Sequence, residues 1–432
     1  MCSIFPIETY ILYSIFLICQ VNHTKMNYSI KKLQGIDCIF APMQDSNSIT
    51  IEIMCKAGSI YETKTTNGIS HFLEHLFFKG GKKYPTPRAV AEAVDTFGGE
   101  FNAYTGDEYA GYYVKCAPEF TNKAIDVLGD MMMNPQFPKD ELEREKGVVI
   151  QELKMYEDNP MALVSQKRQQ RYFGDNNYGR PTIGTIENIL SFNQDMLFEH
   201  KENLYTKDNL LIMIAGKITD QAEIESLLTD IFATLPAKKQ YQKDNFPNHL
   251  PKEQSNFFDK KTEQNHLIIS APGFKGDDQT RYAASVLTTI LGGNMSSRFF
   301  QNIREKEGLC YYISASHLSG QDDGTFMMRA GIDKERFDFG VQRIYEEIER
   351  IAGGDISQEE FDNTIGYNIG QLQMGIESSD QMASFLGAQY LLYGKIETLD
   401  EIVQAYKKLT LKEVKDIANK LSKENLYLYH IQ

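Results

Sequence analysis

The chain has 432 residues, 42% hydrophobic and 24% charged, a globular profile long enough for two cores of roughly 200 residues each. Its formal net charge of −14 argues against a nucleic-acid binder, because phosphate contacts need a basic surface, and suits encounter with basic partners. Six scattered cysteines without a C-x-x-C pair speak against a disulfide framework or a cysteine metal site, and read as small core residues in a reducing compartment.

In chain order, residues 1–25 come first. The apolar run from Tyr10 to Val21 is short for a spanning helix, so no stable membrane span is expected. It also lacks the basic lead and small-residue cleavage site of a secretory signal. Two readings stand: an extension ahead of a native start at Met26, which leaves the protein cytoplasmic, or a signal-like segment, which exports it. Ser48 to Ala57 alternates apolar and polar residues as a half-buried strand does. Asn67-Gly68 opens a turn, and Ser70 is expected to cap a helix over His71 to Phe78 that Gly80-Gly81 ends. Pro87 starts another helix that stops at Gly98-Gly99. Tyr104 and Tyr109 to Lys115 read as strand, and Thr121 to Met133 as helix. A longer helix from Asp140 to Glu157 is closed by Pro160.

The second half repeats this grammar. Gly111 to Leu153 matches Gly324 to Leu372, with Glu141-Leu142 on Glu360-Phe361 and Gln151-Glu152-Leu153 on Gly370-Gln371-Leu372. The polar stretch 237–254 reads as a linker. The expected architecture is α+β: two homologous tandem domains, 26–236 and 255–432, each an antiparallel-rich sheet packed with helices.

His71-Phe72-Leu73-Glu74-His75 carries the chemistry. Positions i, i+3 and i+4 share one helix face, so two imidazoles and a carboxylate converge while Phe72, Leu73, Leu76 and Phe77 anchor the helix. Two imidazoles suit Zn²⁺, and the order H-x-x-E-H is that of the inverzincins.

With these residues the chain resembles the pitrilysin-like (M16) metallopeptidases, especially the short branch of mitochondrial processing peptidase and bacterial processing proteases. The resemblance runs over Met26 to Gln432. It rests on 67–75 (NGISHFLEH), 98–113 (GGEFNAYTGDEYAGYY), 143–153 (EREKGVVIQEL), 179–184 (GRPTIG) and 291–311 (LGGNMSSRFFQNIREKEGLCY). It implies one zinc per chain, held by His71, His75 and Glu152, the last 77 positions beyond His75. Glu74 is then the general base toward a metal-activated water, and Glu145, two turns before Glu152, assists near the metal. Asn102 and Ala103 are expected on an edge strand that pairs with substrate, and Arg304 and Tyr311 to reach toward the scissile carbonyl. The second domain has Gln371 and Thr364 where the first has Glu152 and Glu145, so it closes the other wall of a chamber and stays inactive. The implied activity is an endopeptidase for peptides or unfolded segments, acting as a homodimer or with a related subunit, and the acidic net charge adds an expected preference for basic peptides. The alternative is a non-catalytic docking subunit of a processing complex.

Overall fold

The computed structural model describes residues 26–238, 243, 245–246, 251 and 253–431. The extension 1–25 and most of the linker 237–254 lie outside the described residues. The first half holds strands β1 (Ser29–Leu33), β2 (Ile36–Pro42), β3 (Ile49–Cys55), β4 (Glu100–Thr105), β5 (Ala110–Cys116) and β6 (Leu210–Gly216). They form one sheet in the order β1-β2-β6-β3-β5-β4, antiparallel except for the β2–β6 pair. Its helices are α1 (Ile69–Phe77), α2 (Pro87–Asp95), α3 (Thr121–Met133), α4 (Lys139–Asp158), α5 (Pro160–Phe173), α6 (Ile186–Ser191), α7 (Gln194–Leu204) and α8 (Gln221–Ile231).

The second half holds β7 (Ser255–Phe258), β8 (Gln264–Pro272), β9 (Cys310–Ser319), β10 (Gly324–Asp333) and β11 (Tyr427–Ile431), ordered β7-β11-β8-β10-β9. Its helices are α9 (Arg281–Thr288), α10 (Phe337–Ala352), α11 (Gln358–Met374), α12 (Ser379–Tyr393), α13 (Leu399–Lys408) and α14 (Leu411–Ala418). The repeat is visible in this order, because β5-α3-α4-α5 is answered by β10-α10-α11-α12. Two tandem α+β domains result. No helix among the described residues is long and apolar enough to cross a membrane.

The halves are not packed independently. Strand β6 (LLIMIAG) is buried at every position, because both faces of its sheet are covered. Ile212 and Ile214 face the core shared with α1, α3 and α7, whereas Leu211, Met213 and Ala215 face Ala383, Leu386 and Leu391 of α12. Helix α12 belongs to the second half. Gly387 allows its close approach, since a Cβ there would stand 2.4 Å from Met54 Sδ and 2.9 Å from Met213 Cγ. Reciprocally, α5 lays Val164, Tyr172 and Phe173 against Ile268, Met327 and Tyr429 of the second sheet. Arg168 of α5 donates from Nε to Ser270 Oγ at 2.9 Å and stacks over the Tyr172 ring. Each sheet is therefore covered by a helix from the other half.

Two local expectations are corrected. Ser70 does not cap α1: it lies inside the first turn, its Oγ paired with His200 Nε2 at 3.0 Å, and the carboxylate of Glu62 occupies the helix end instead. Pro160 does close α4, but it also opens α5 at once, where its missing N–H is harmless and Asn159 supplies the cap.

Because Leu386 fills the contact between α12 and the first sheet, Leu386→Ala is expected to lower the unfolding free energy by about 3 kcal/mol. Urea denaturation followed by circular dichroism should show the loss as one transition, since the same helix ties the halves together.

Candidate metal centre

Helix α1 turns Phe72, Leu73, Leu76 and Phe77 into the core, which leaves His71, Glu74 and His75 on its opposite face. Helix α4 packs across it with Leu142, Val149 and Leu153 buried. On α4, Glu145 and Glu152 are seven residues apart, two turns on one face, so both carboxylates meet α1. One ligand atom from each of His71, His75 and Glu152 lies within 4.8 Å of the other two.

The spacings fit a cation. His71 Nε2 stands 3.6 Å from Glu152 Oε1, and His75 Nε2 stands 3.5 Å from Glu152 Oε2. Both are too long for good hydrogen bonds, but a tetrahedral ion with bonds of about 2.05 Å separates its ligand atoms by roughly 3.4 Å. Among the described residues, no other group of three or more histidine, cysteine or acidic side chains meets the same criterion.

Around this cluster the charges are arranged in sequence. His75 Nδ1–H donates to Glu145 Oε1 at 2.8 Å, so that in the neutral ring Nε2 carries the lone pair. Lys79 Nζ, from the turn just past the end of α1, donates to Glu145 Oε2 at 2.7 Å. Burial pulls the His75 imidazole down, but the carboxylates of Glu145 and Glu152 outweigh it and push it up to about 9. Long hydrogen bonds from the two imidazoles hold Glu152 well below the usual carboxylate range, so it stays ionised. Burial raises Glu145, yet hydrogen bonds from His75 and Lys79 bring it below its ordinary value. Glu74 stays outside the donor set. Its Oε2 accepts from the Thr105 hydroxyl at 2.5 Å, so β4 aims it.

Among the described residues, β4 is an edge strand packed along α1 and paired only with β5, so Asn102 and Ala103 sit on an edge without a further strand there. Asn102 Oδ1 accepts from the Ala103 N–H at 2.9 Å. Arg304 and Tyr311 sit at the end of the helical stretch Phe299–Lys306 and near the start of edge strand β9. Among the described residues, no hydrogen bond or ion pair joins either to the His71–His75–Glu152 cluster. They stack on each other, with the guanidinium 5.7 Å from the Tyr311 ring and Tyr311 78% exposed.

Sequence reasoning missed Lys79 and Thr105. Lys79 was within reach of it, because it follows His75 by four residues and shares its face. Thr105 was not, since the strand-to-helix approach is set by the fold.

Comparison with known proteins finds related chains and folds. Residues 41–186 match the family model described as Insulinase (Peptidase family M16), and residues 191–366 match the Peptidase M16 inactive domain. The chain is 35% identical over 400 residues to a Bacillus subtilis protein named an uncharacterized zinc protease, YmxG, covering 91% of this chain and 95% of that one. An uncharacterized zinc protease of Rickettsia bellii is 33% identical over 402 residues, covering 92% and 95% of the two chains. A protease from Helicobacter pylori has the same fold, with a TM-score of 0.85 at 20% identity over 94% of this chain and 100% of that one. A Pseudomonas fluorescens structure titled peptidase M16 inactive domain superposes with a TM-score of 0.86 at 19% identity, covering 94% and 98%.

Lys79→Met would leave the buried Glu145 with His75 alone, loosening the imidazole that Glu145 orients. Its Zn²⁺ affinity should fall about tenfold, with Lys79→Arg closer to wild type, as read by competition with a chromophoric chelator.

Proposed function

The chain belongs to the M16 peptidase family, and from that premise we propose that it is a zinc-dependent endopeptidase acting on peptides or unfolded segments. The observation that carries the reading is the His71–His75–Glu152 donor set at ligand spacing, with Glu74 beside it but not in it. Zinc held by these three side chains would supply positive charge that acidifies a nucleophilic water and polarises a carbonyl.

The remaining work falls to the chain's own residues. Glu145 and Lys79 hold His75 with Nε2 facing the donor cluster. The Thr105 hydroxyl holds one oxygen of Glu74. The other oxygen takes the proton of the attacking water and delivers it to the leaving amine nitrogen. The free edge of β4 receives an extended peptide by main-chain hydrogen bonds at Asn102 and Ala103, a mode that tolerates many side chains. The charge of −14 favours encounter with basic peptides.

The exposure of Tyr311, with no hydrogen bond or ion pair joining it or Arg304 to the cluster among the described residues, favours a site completed by a second chain, the same or a related one. In that arrangement both side chains donate to the developing oxyanion.

Glu74→Gln is expected to cut turnover of a quenched-fluorescent peptide by about 10³-fold while zinc content stays at one per chain. Activity near wild type in that variant would sink the general-base role, and loss of the metal would reassign Glu74 to the ligand set. If the site is shared between copies, mixing the inactive Glu74→Gln and Arg304→Ala proteins should restore cleavage. Two chains that stay inactive together would place Arg304 in service of its own chain or of none.

A further inference from the structure

The amino end of α1 is built in a way that neither the metal centre nor the peptide edge explains. Its N-cap position is Gly68, with φ +96° and no side chain to offer. The exposed N–H groups are taken instead by a carboxylate from outside the helix. Glu62 Oε2 accepts from Gly68 N at 2.8 Å and Asn67 Nδ2 at 3.0 Å, and Glu62 Oε1 accepts from Ser70 N at 2.8 Å. The residue after Ser70 is His71. Glu62 is buried, so its carboxyl group trades hydration for these donors and the positive end of the helix.

The same helix end is pressed from the other side by the GRPTIG segment. Gly184, at φ +83°, faces Gly68 so closely that a Cβ on either would stand 2.7 Å from the other's Cα. Asn67 Nδ2 also donates to Pro181 O at 3.0 Å, and Asn188 Nδ2 donates to Asn67 O at 3.0 Å. The segment therefore meets α1 backbone to backbone, at a distance that side chains would not permit.

We propose that Glu62, with the Gly68–Gly184 contact behind it, is a positioning residue of the metal centre: it fixes the height and rotation of α1, and so where His71, Glu74 and His75 meet Glu152 of α4. A nine-residue helix makes few turns, so a displacement at its first turn is carried to both imidazoles. Loss of a cap alone would cost stability. Loss of this one also misplaces ligands, because the capped N–H of Ser70 adjoins the first of them.

The inference rests on the metal reading above, and Co²⁺ as the probe separates the two. Glu62→Gln keeps the shape and one acceptor but turns an N–H₂ group toward a backbone N–H. Expected for the folded variant, well below its melting temperature, is a changed visible Co²⁺ band with affinity weakened about tenfold or more. With peptide substrate, kcat should fall by at least a similar factor while KM stays within about twofold of wild type. Asn67→Ala, which removes one donor to Glu62 and the tie to Pro181, should move the band and affinity in the same direction by less. It serves as the test if Glu62→Gln does not fold. Variants with lower melting temperature but wild-type band and affinity would overturn the positioning role and leave a purely structural cap. Wild-type protein that gives no Co²⁺ band at all would overturn the metal reading itself.

Discussion

Glu145 is an anion held almost out of water, with 5% of its side chain exposed, and its burial is tolerable because each oxygen has a cation or imidazole N–H against it. His75 is on α1 and Lys79 in the turn that ends it, whereas Glu145 is on α4. The interaction is thus a bolt between two helices separated by more than sixty residues of chain. With α4 fixed on α1 at Glu145, the next carboxylate on that face two turns along is Glu152, and it falls opposite the two imidazole Nε2 atoms. The donor set follows from that bolt as much as from the H-x-x-E-H spacing.

The second half repeats the frame without the charges. Helix α11 occupies the place of α4, yet it carries buried Thr364 where Glu145 would be and exposed Gln371 where Glu152 would be. A hydroxyl and an amide ask for no cation between them. The frame is kept for a different reason: the helix that follows α11 is α12, and the first sheet needs it.

Much of this was legible beforehand. The apolar periodicity around His71 placed α1, and the 77-residue spacing to Glu152, read through the family resemblance, placed the third donor on α4. The internal repeat gave two α+β units because strand and helix signals recur in one order. What escaped had causes in three dimensions. Ser70 carries the side chain of a cap, but the helix begins ahead of it and Glu62, eight positions upstream, takes the N–H groups of Gly68 and Ser70; no local pattern records that. The unbroken apolar run of β6 signals burial on both faces, but not that the covering helix comes from the far half. Arg304 and Tyr311 were read by family likeness as serving the scissile carbonyl; the fold pairs them with each other and leaves Tyr311 exposed.

The exchange of α5 and α12 has a consequence for how the protein is made. A ribosome delivers the first sheet long before it delivers residues 379–393, so Ile39, Met54, Leu211 and Met213 wait uncovered while most of the second half is synthesised. Helix α5, already out, has no second sheet to lie on during the same interval. Neither half can finish as a nascent domain. The last stretch of translation closes both cores together, and until then the chain presents apolar surface of the kind that holding chaperones bind.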